Sequence, residues 1–252
     1  MYRAFNLTAC DWNDISRENG DAIYKRNADT VRRSLESFLN DKIVDGTKLK
    51  AHWFPTFKAD VFISHSHMDE VDAIKCAGWL KDQFGLEGFI DSCIWGHADD
   101  LLRIIDRKYC LNPNGETYDY DKRNGSTSHV HMMLSIAIAA MLEAAECVLF
   151  INTPNSITSN ESVSKTQSPW LFFELGTMRI IGRKKPERKI VQEEHFAKKA
   201  TDLKVEYEVP LSELTPLNFA HLNAWRDAHQ TNPSNKGKHT LDLLYEIAPE
   251  TK

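Results

Sequence analysis

Three short runs in this chain are apolar at nearly every position: Asp60-Val-Phe-Ile-Ser64, Gly88-Phe-Ile-Asp91 and Cys147-Val-Leu-Phe-Ile151. A strand with one wet face alternates polar and apolar residues, so runs without alternation call for cover on both faces. A parallel sheet between helix layers supplies that cover. The segments between the runs carry the helical period instead. Ala73, Cys76, Ala77, Leu80 and Phe84 share one face before Gly85 stops the pattern, and Leu134, Ala137, Ile138, Met141, Leu142 and Ala145 recur at spacings of three and four. Strand and helix in alternation predict a three-layer α/β fold with a mostly parallel central sheet.

Around that pattern the chain divides into three stretches. Residues 1–58 read as an N-terminal helical extension, because Ile23, Val31, Leu35, Phe38 and Leu39 fall at helical spacing before the Asp45-Gly46 turn pair. Residues 59–215 form the α/β domain, with a polar, turn-rich insertion at about 106–127. Residues 216–252 read as a C-terminal helical extension packed on the same domain. Within the domain, Ser66 with Asp69 has the capping-box spacing, one helix is expected to begin near Asp99 and another near Ser128, and Lys204 to Leu211 alternates as an edge strand would.

Composition narrows the function classes. Lys plus Arg number 31 against 36 Asp plus Glu, a net charge of −5, and 42% of the residues are apolar. Those values suit a folded chain without a general affinity for nucleic acid. The basic run RKKPERK has no interleaved aromatics and reads as a solvated surface. Five cysteines, an odd number without CxxC spacing, fit a reduced, cytoplasmic setting. The first twenty residues lack the form of a signal peptide, and the longest apolar stretch, Met132 to Leu142, is about half of what a bilayer needs, so no membrane partner is expected.

In parallel α/β folds ligands bind beyond the carboxyl ends of the strands. Three segments with reactive side chains leave such ends: Ser64-His65-Ser66-His67, Asp91 to Asp100, and Ser168 to Glu174. Ser168-Pro169-Trp170 reads as N-cap, Pro at the first helical position and first turn, so Trp170 and Glu174 lie one turn apart on one helix face. An indole beside a carboxylate suits a flat cationic ligand next to a sugar; a partly buried Glu closing the helix end, with Trp170 in the core, is the structural alternative. SHSHMDE approaches the HxHxDH metal motif, but Glu70 replaces its last histidine, and a cap at Ser66 turns His67 away from His65. His129 and His131, two apart on a helix, diverge and do not chelate as a pair. No GxGxxG, Walker A, GxSxG or kinase signature occurs.

Taken together, Asp60-Val-Phe-Ile-Ser-His-Ser66, Gly88-Phe-Ile-Asp91 with its following loop, and Ser168-x-Trp170-x-x-x-Glu174-Leu175 resemble the Toll/interleukin-1 receptor (TIR) domain in order and spacing. The resemblance covers residues 59–182 and extends to about 215. It implies a flavodoxin-like sheet of about five parallel strands and, as in many prokaryotic and plant members, cleavage of the nicotinamide–ribose bond of NAD⁺. By the same resemblance Glu174 is the catalytic carboxylate, Ser64, His65 and Ser66 form the pocket floor, Trp170 flanks the base, and the loop after Asp91, with Trp95 and Asp100, forms one wall. NAD⁺ is then substrate and no separate cofactor or metal is expected. Stand-alone prokaryotic members serve in antiphage immunity of the Thoeris type, giving ADP-ribose or a cyclic ADP-ribose-type signal for a downstream effector, and assemble as homo-oligomers through TIR surfaces. A non-enzymatic TIR interaction module, favoured if Glu174 is buried in an ion pair, and a metal-dependent hydrolase built on the HSHMD segment are the competing readings. The chain departs from the pattern in having Trp95-Gly96-His97 where many TIR domains have Pro-Gly, and in its long insertion.

Overall fold

The computed structural model describes residues 1–8, 10–39, 59–160, 163–186, 207–208, 211–231 and 238–250. Its centre is a five-stranded, all-parallel sheet. In chain order the sheet strands are β1 (Arg3–Thr8), β2 (Val61–Ser64), β3 (Gly88–Ile90), β4 (Cys147–Ile151) and, after three strands of a smaller sheet, β8 (Thr215–Asn218). In space they run β3-β2-β4-β1-β8. The three apolar runs are β2, β3 and β4, and Val61, Phe62, Ile63, Phe89, Ile90, Val148, Leu149 and Phe150 have no solvent exposure at all. Burial on both faces is why their sequences do not alternate. The topology is of the flavodoxin-like type.

The helices are α1 (Glu18–Leu39), α2 (Glu70–Phe84), α3 (Ser92–Ile105), α4 (Tyr120–Ala144), α5 (Pro169–Ile180), α6 (Phe219–Thr231) and α7 (Thr240–Ile247). Gly85 ends α2 at φ 70, in the left-handed region where glycine is favoured, as its position in the sequence predicts. A small antiparallel sheet joins β5 (Thr158–Asn160), β6 (Val163–Thr166) and β7 (Tyr207–Glu208). Of the predicted edge strand at 204–211, only β7 and Leu211 lie within the described residues, and β7 belongs to this small sheet.

The N-terminal residues are more than a helical extension. Arg3–Thr8 pairs with β4 on one side, Arg3 opposite Cys147, and with β8 on the other, Phe5 opposite Thr215. The strand escapes an apolar-run search because Arg3, Asn6 and Thr8 interrupt it, yet each polar group finds a partner: Arg3 Nη2 reaches Thr215 Oγ1 at 3.1 Å and Thr8 Oγ1 reaches the Leu217 carbonyl at 3.4 Å. Asn152 Nδ2 donates to Asn6 Oδ1 at 2.9 Å.

α1 then runs along the β3 edge, touching β3 itself, α2 and α3. Buried Asn27 donates from Nδ2 to the Gly88 carbonyl at 3.2 Å, satisfying a group that an open sheet edge would leave unpaired. α1 and α2 cross at Gly20 and Gly78, where a Cβ added to Gly20 would lie 2.0 Å from the Ile74 carbonyl oxygen. Only glycine allows that approach. At the other end of the chain, Trp225 of α6 donates from Nε1 to the Thr240 carbonyl of α7 at 2.8 Å and stacks on Phe84 with centroids 3.9 Å apart, which ties the C-terminal helices to the domain.

Several boundaries differ from the sequence expectation. α3 begins at Ser92, so the segment expected as a loop through Trp95 is helical. α4 begins at Tyr120, eight residues before Ser128, because Asp119 caps it by accepting from Lys122 N at 3.0 Å. The insertion is correspondingly compact: Asp106–Cys110 continues α3 as a π-helical turn, and Leu111 bridges Tyr118 across a turn. α4 is long and apolar enough by length and composition to cross a membrane. Its stripe of Val130, Leu134, Ile138 and Leu142 is buried against the rest of the domain, as in a core helix.

Candidate active site

The chain leaves β2 for β3 on one side, while β4 flanks β2 on the other. The crevice at the carboxyl ends of β2 and β4 is therefore the topological switch point, where such sheets bind ligands. Ser64, the last residue of β2, and its successor His65 stand there, and each holds one carboxyl group. Ser64 Oγ donates to Glu174 Oε2 at 2.6 Å. The His65 backbone N–H donates to Asp91 Oδ2 at 3.1 Å, and His65 Nδ1 lies 2.5 Å from Asp91 Oδ1. Asp91 follows β3, and Glu174 comes from α5, whose start is set by Ser168 Oγ accepting from Leu171 N at 3.3 Å with Pro169 at the first helical position.

Ser64, His65, Asp91 and Glu174 all have 0% exposure. Each of the two carboxyl groups bears on the ionisation of the other. Burial, then the charge of Asp91, pushes the Glu174 carboxyl well above the usual carboxylate range, with Ser64 and His65 pulling the other way. Burial likewise pushes Asp91 up, opposed by its hydrogen bonds, among them the His65 N–H. The His65 imidazole is pushed down to about 4 by burial, against the attraction of Glu174, Glu70 and Asp69. A neutral imidazole therefore sits beside two buried carboxyl groups whose ionisation is disfavoured. Among the described residues no Lys or Arg pairs with either carboxyl.

A second cluster adjoins the first. Asp69 accepts from Ser66 Oγ at 2.7 Å, from Thr153 Oγ1 at 2.6 Å and from Asn155 Nδ2 at 2.8 Å. Ser66 thus binds the Asp69 carboxylate and does not cap the helix. In exchange, the loop after β2 is tied to the loop after β4. Ser156 closes the second loop by accepting from Thr153 N at 2.9 Å.

The sequence-predicted residues thus fall into three sets. Ser64, His65, Asp91 and Glu174 converge. Ser66 joins the neighbouring Asp69 cluster. Trp170 lies one turn before Glu174, half-buried, its ring edge-on to the His131 ring at 5.6 Å. Trp95 and Asp100 lie on α3, and their side chains are outside the described residues. His67 and His129 are exposed while His65 is fully buried, so HSHMD does not present its histidines together. Among the described residues no cluster of three His, Cys, Asp or Glu is arranged to hold a metal ion. Tyr118 and Tyr120 of the insertion are exposed, at 38% and 77%.

Sequence reasoning placed Asp69 only as a capping-box partner of Ser66 or a metal-motif residue, and it missed Thr153 and Asn155. The only signal of Thr153 and Asn155 was position, in a short Thr-Pro-Asn segment just after a buried strand. No protein-family model, no curated protein and no solved structure matches the chain.

Proposed function

We propose that the chain is a TIR-like enzyme that cleaves the nicotinamide–ribose bond of NAD⁺. The observation that carries this reading is the pair of buried carboxyl groups at the switch point, Glu174 held by Ser64 and Asp91 held by His65, with no basic side chain of the described residues neutralising them. A site that holds excess negative charge out of water favours a cation, and nicotinamide riboside is a cation until its bond breaks. The SxWxxxE and VFISHS segments support the same class, as read from the sequence.

In this reading nicotinamide leaves as a neutral molecule, taking the bonding electron pair, and the ribose passes through an oxocarbenium-like state. Glu174, brought to its carboxylate form by the arriving cation, binds the ribose hydroxyls and stabilises the positive charge as it moves onto the sugar. Trp170, on the same helix face, is the surface against which the base packs. Water at the anomeric carbon gives ADP-ribose; an adenine nitrogen there gives a cyclic ADP-ribose-type signal. Self-association through TIR surfaces and a downstream effector belong to the same proposal, as does a role in antiphage immunity.

One observation favours the second reading, a non-enzymatic interaction module: Glu174 has 0% exposure, so catalysis requires its cover to move. The test is purified protein at high concentration with NAD⁺, nicotinamide and nucleotide products being resolved chromatographically, beside Glu174→Ala. Nicotinamide release by the wild type and its loss in the variant are expected. Equal release by both proteins, or none by either under conditions where the protein self-associates, overturns the enzyme assignment.

A further inference from the structure

A helix that returns along a parallel sheet needs only the length of the strands it covers. The 25 residues of α4 make a helix about 37 Å long, whereas the five residues of β4 span about 17 Å. α4 ends at Ala144, just ahead of β4, so its C-terminal end lies at the amino edge of the sheet. Its N-terminal half runs on past the carboxyl edge, where the candidate site stands. The buried stripe marks the level of that edge. Val130, Leu134, Ile138 and Leu142 face the domain, while Ser126, the buried residue before them, turns to Asp106 of the insertion. Val130 is about 20 Å from the helix end, so its neighbour His131 stands level with the strand ends that carry Ser64 and His65.

There His131 meets the site. Its ring lies 5.6 Å from the Trp170 ring between centroids, with 72° between the planes. Trp170 is half-buried on α5, one turn before Glu174, and the Ser168 cap with Pro169 fixes the start of that helix. His131 itself is exposed, and the apolar stripe of α4 is complete without it. Core packing therefore does not account for the pair.

We infer that His131 is a positioning residue of the site, bracing the Trp170 indole so that α4 as well as α5 shapes the place where a flat cationic ring packs. The inference rests on the reading of this crevice as an NAD⁺-cleaving centre with its base against Trp170. An edge-on ring pair holds an aromatic side chain in one orientation and leaves ring surface open beside it. An indole already held there has less side-chain freedom to lose when the ligand arrives, which strengthens capture. The reacting bond lies with Glu174, one turn away, so the brace acts on substrate binding more than on bond cleavage.

Two measurements on the full-length protein test this. The first is ¹⁵N relaxation of the indole N–H groups without ligand, Trp170 being assigned through Trp170→Phe. The Trp170 indole is expected to be more ordered in the wild type and in His131→Phe, which keeps a ring at the position, than in His131→Ala. Equal order in the wild type and His131→Ala would overturn the inference. The second is steady-state nicotinamide release. KM for NAD⁺ is expected to rise roughly 3- to 10-fold in His131→Ala, with a smaller change in kcat, and His131→Phe is expected to recover most of that rise. An unchanged KM, or a fall in kcat as large as the rise in KM that His131→Phe does not rescue, also overturns it. A wild type that releases no nicotinamide sinks the NAD⁺ assignment instead, and the indole measurement then decides the brace by itself.

Discussion

The sheet buries charge at both of its ends, in opposite ways. At the amino end, Arg3 is 5% exposed, yet its guanidinium is well partnered: Nη2 donates to Thr215 Oγ1 and to the Ala248 carbonyl at 2.8 Å, Glu250 lies 3.4 Å from Nε, and the Phe5 and Tyr245 rings lie under it. At the carboxyl end, Glu174 and Asp91 have a hydroxyl donor, a backbone donor and the His65 imidazole, and among the described residues no Lys or Arg. A buried ion surrounded by opposite charge, dipoles and ring faces fastens elements together, here β1 to β8 and the C-terminal segment. Carboxyl groups buried without a Lys or Arg serve stability poorly and make a site a candidate for function.

That contrast can be broken by substitution at either end. The largest effect is expected for Glu174→Ala, with nicotinamide release reduced about 100- to 1,000-fold while the folded protein keeps its circular dichroism spectrum. Arg3→Met is expected to do the reverse. Chemical denaturation should show a loss of about 2–4 kcal/mol as Thr215 and the Ala248 carbonyl lose their buried donor, with kcat for the remaining folded protein unchanged. A kcat defect in Arg3→Met matching that of Glu174→Ala would erase the distinction.

A smaller effect concerns pH. The folded protein holds a proton at Glu174 that the unfolded chain gives up above about pH 4, because burial raises the folded-state value. Protonation therefore favours the folded state: this contribution to stability is full below the unfolded value and is lost as pH rises toward the folded one. Glu174→Gln, which carries no titrating group, should accordingly gain on the wild type in thermal unfolding as pH is raised from 5 to 8. A gap that shrinks over that range contradicts a raised Glu174. The smallest expected effect is at Thr153→Val, which removes one of the donors to Asp69. It should cost about 1 kcal/mol and speed amide exchange in the loop after β4 more than in the sheet.

Much of the α/β frame was legible because burial on both faces leaves a mark in sequence: β2, β3 and β4 are apolar throughout, and α2 and the second half of α4 keep one apolar face. β1 was not legible, since Arg3 and Asn6 are as polar as any surface strand and become internal only through partners more than a hundred residues away, Thr215 and Asn152. The start of α3 was missed for the opposite reason: Trp95-Gly96-His97 has poor local helix propensity, and contacts with α1 and α4 favour the helix there. In the site, the cap at Ser168 and the i, i+4 spacing of Trp170 and Glu174 were readable locally, whereas the tie from Asp69 to Thr153 and Asn155 joins two loops that only the sheet brings together.

The sequence by itself determined the fold class, the strands at the heart of the sheet and a short roster of reactive residues at strand ends, because hydrophobic period and cap chemistry are local properties. Only the tertiary structure decided that the N-terminal strand completes the sheet, that Ser66 serves Asp69 instead of a helix end, and that Ser64 holds Glu174 while His65 holds Asp91. Those are pairings between distant segments. The free energy that sets them, burial of one group against the charge or dipole of another, has no expression until the segments are in contact.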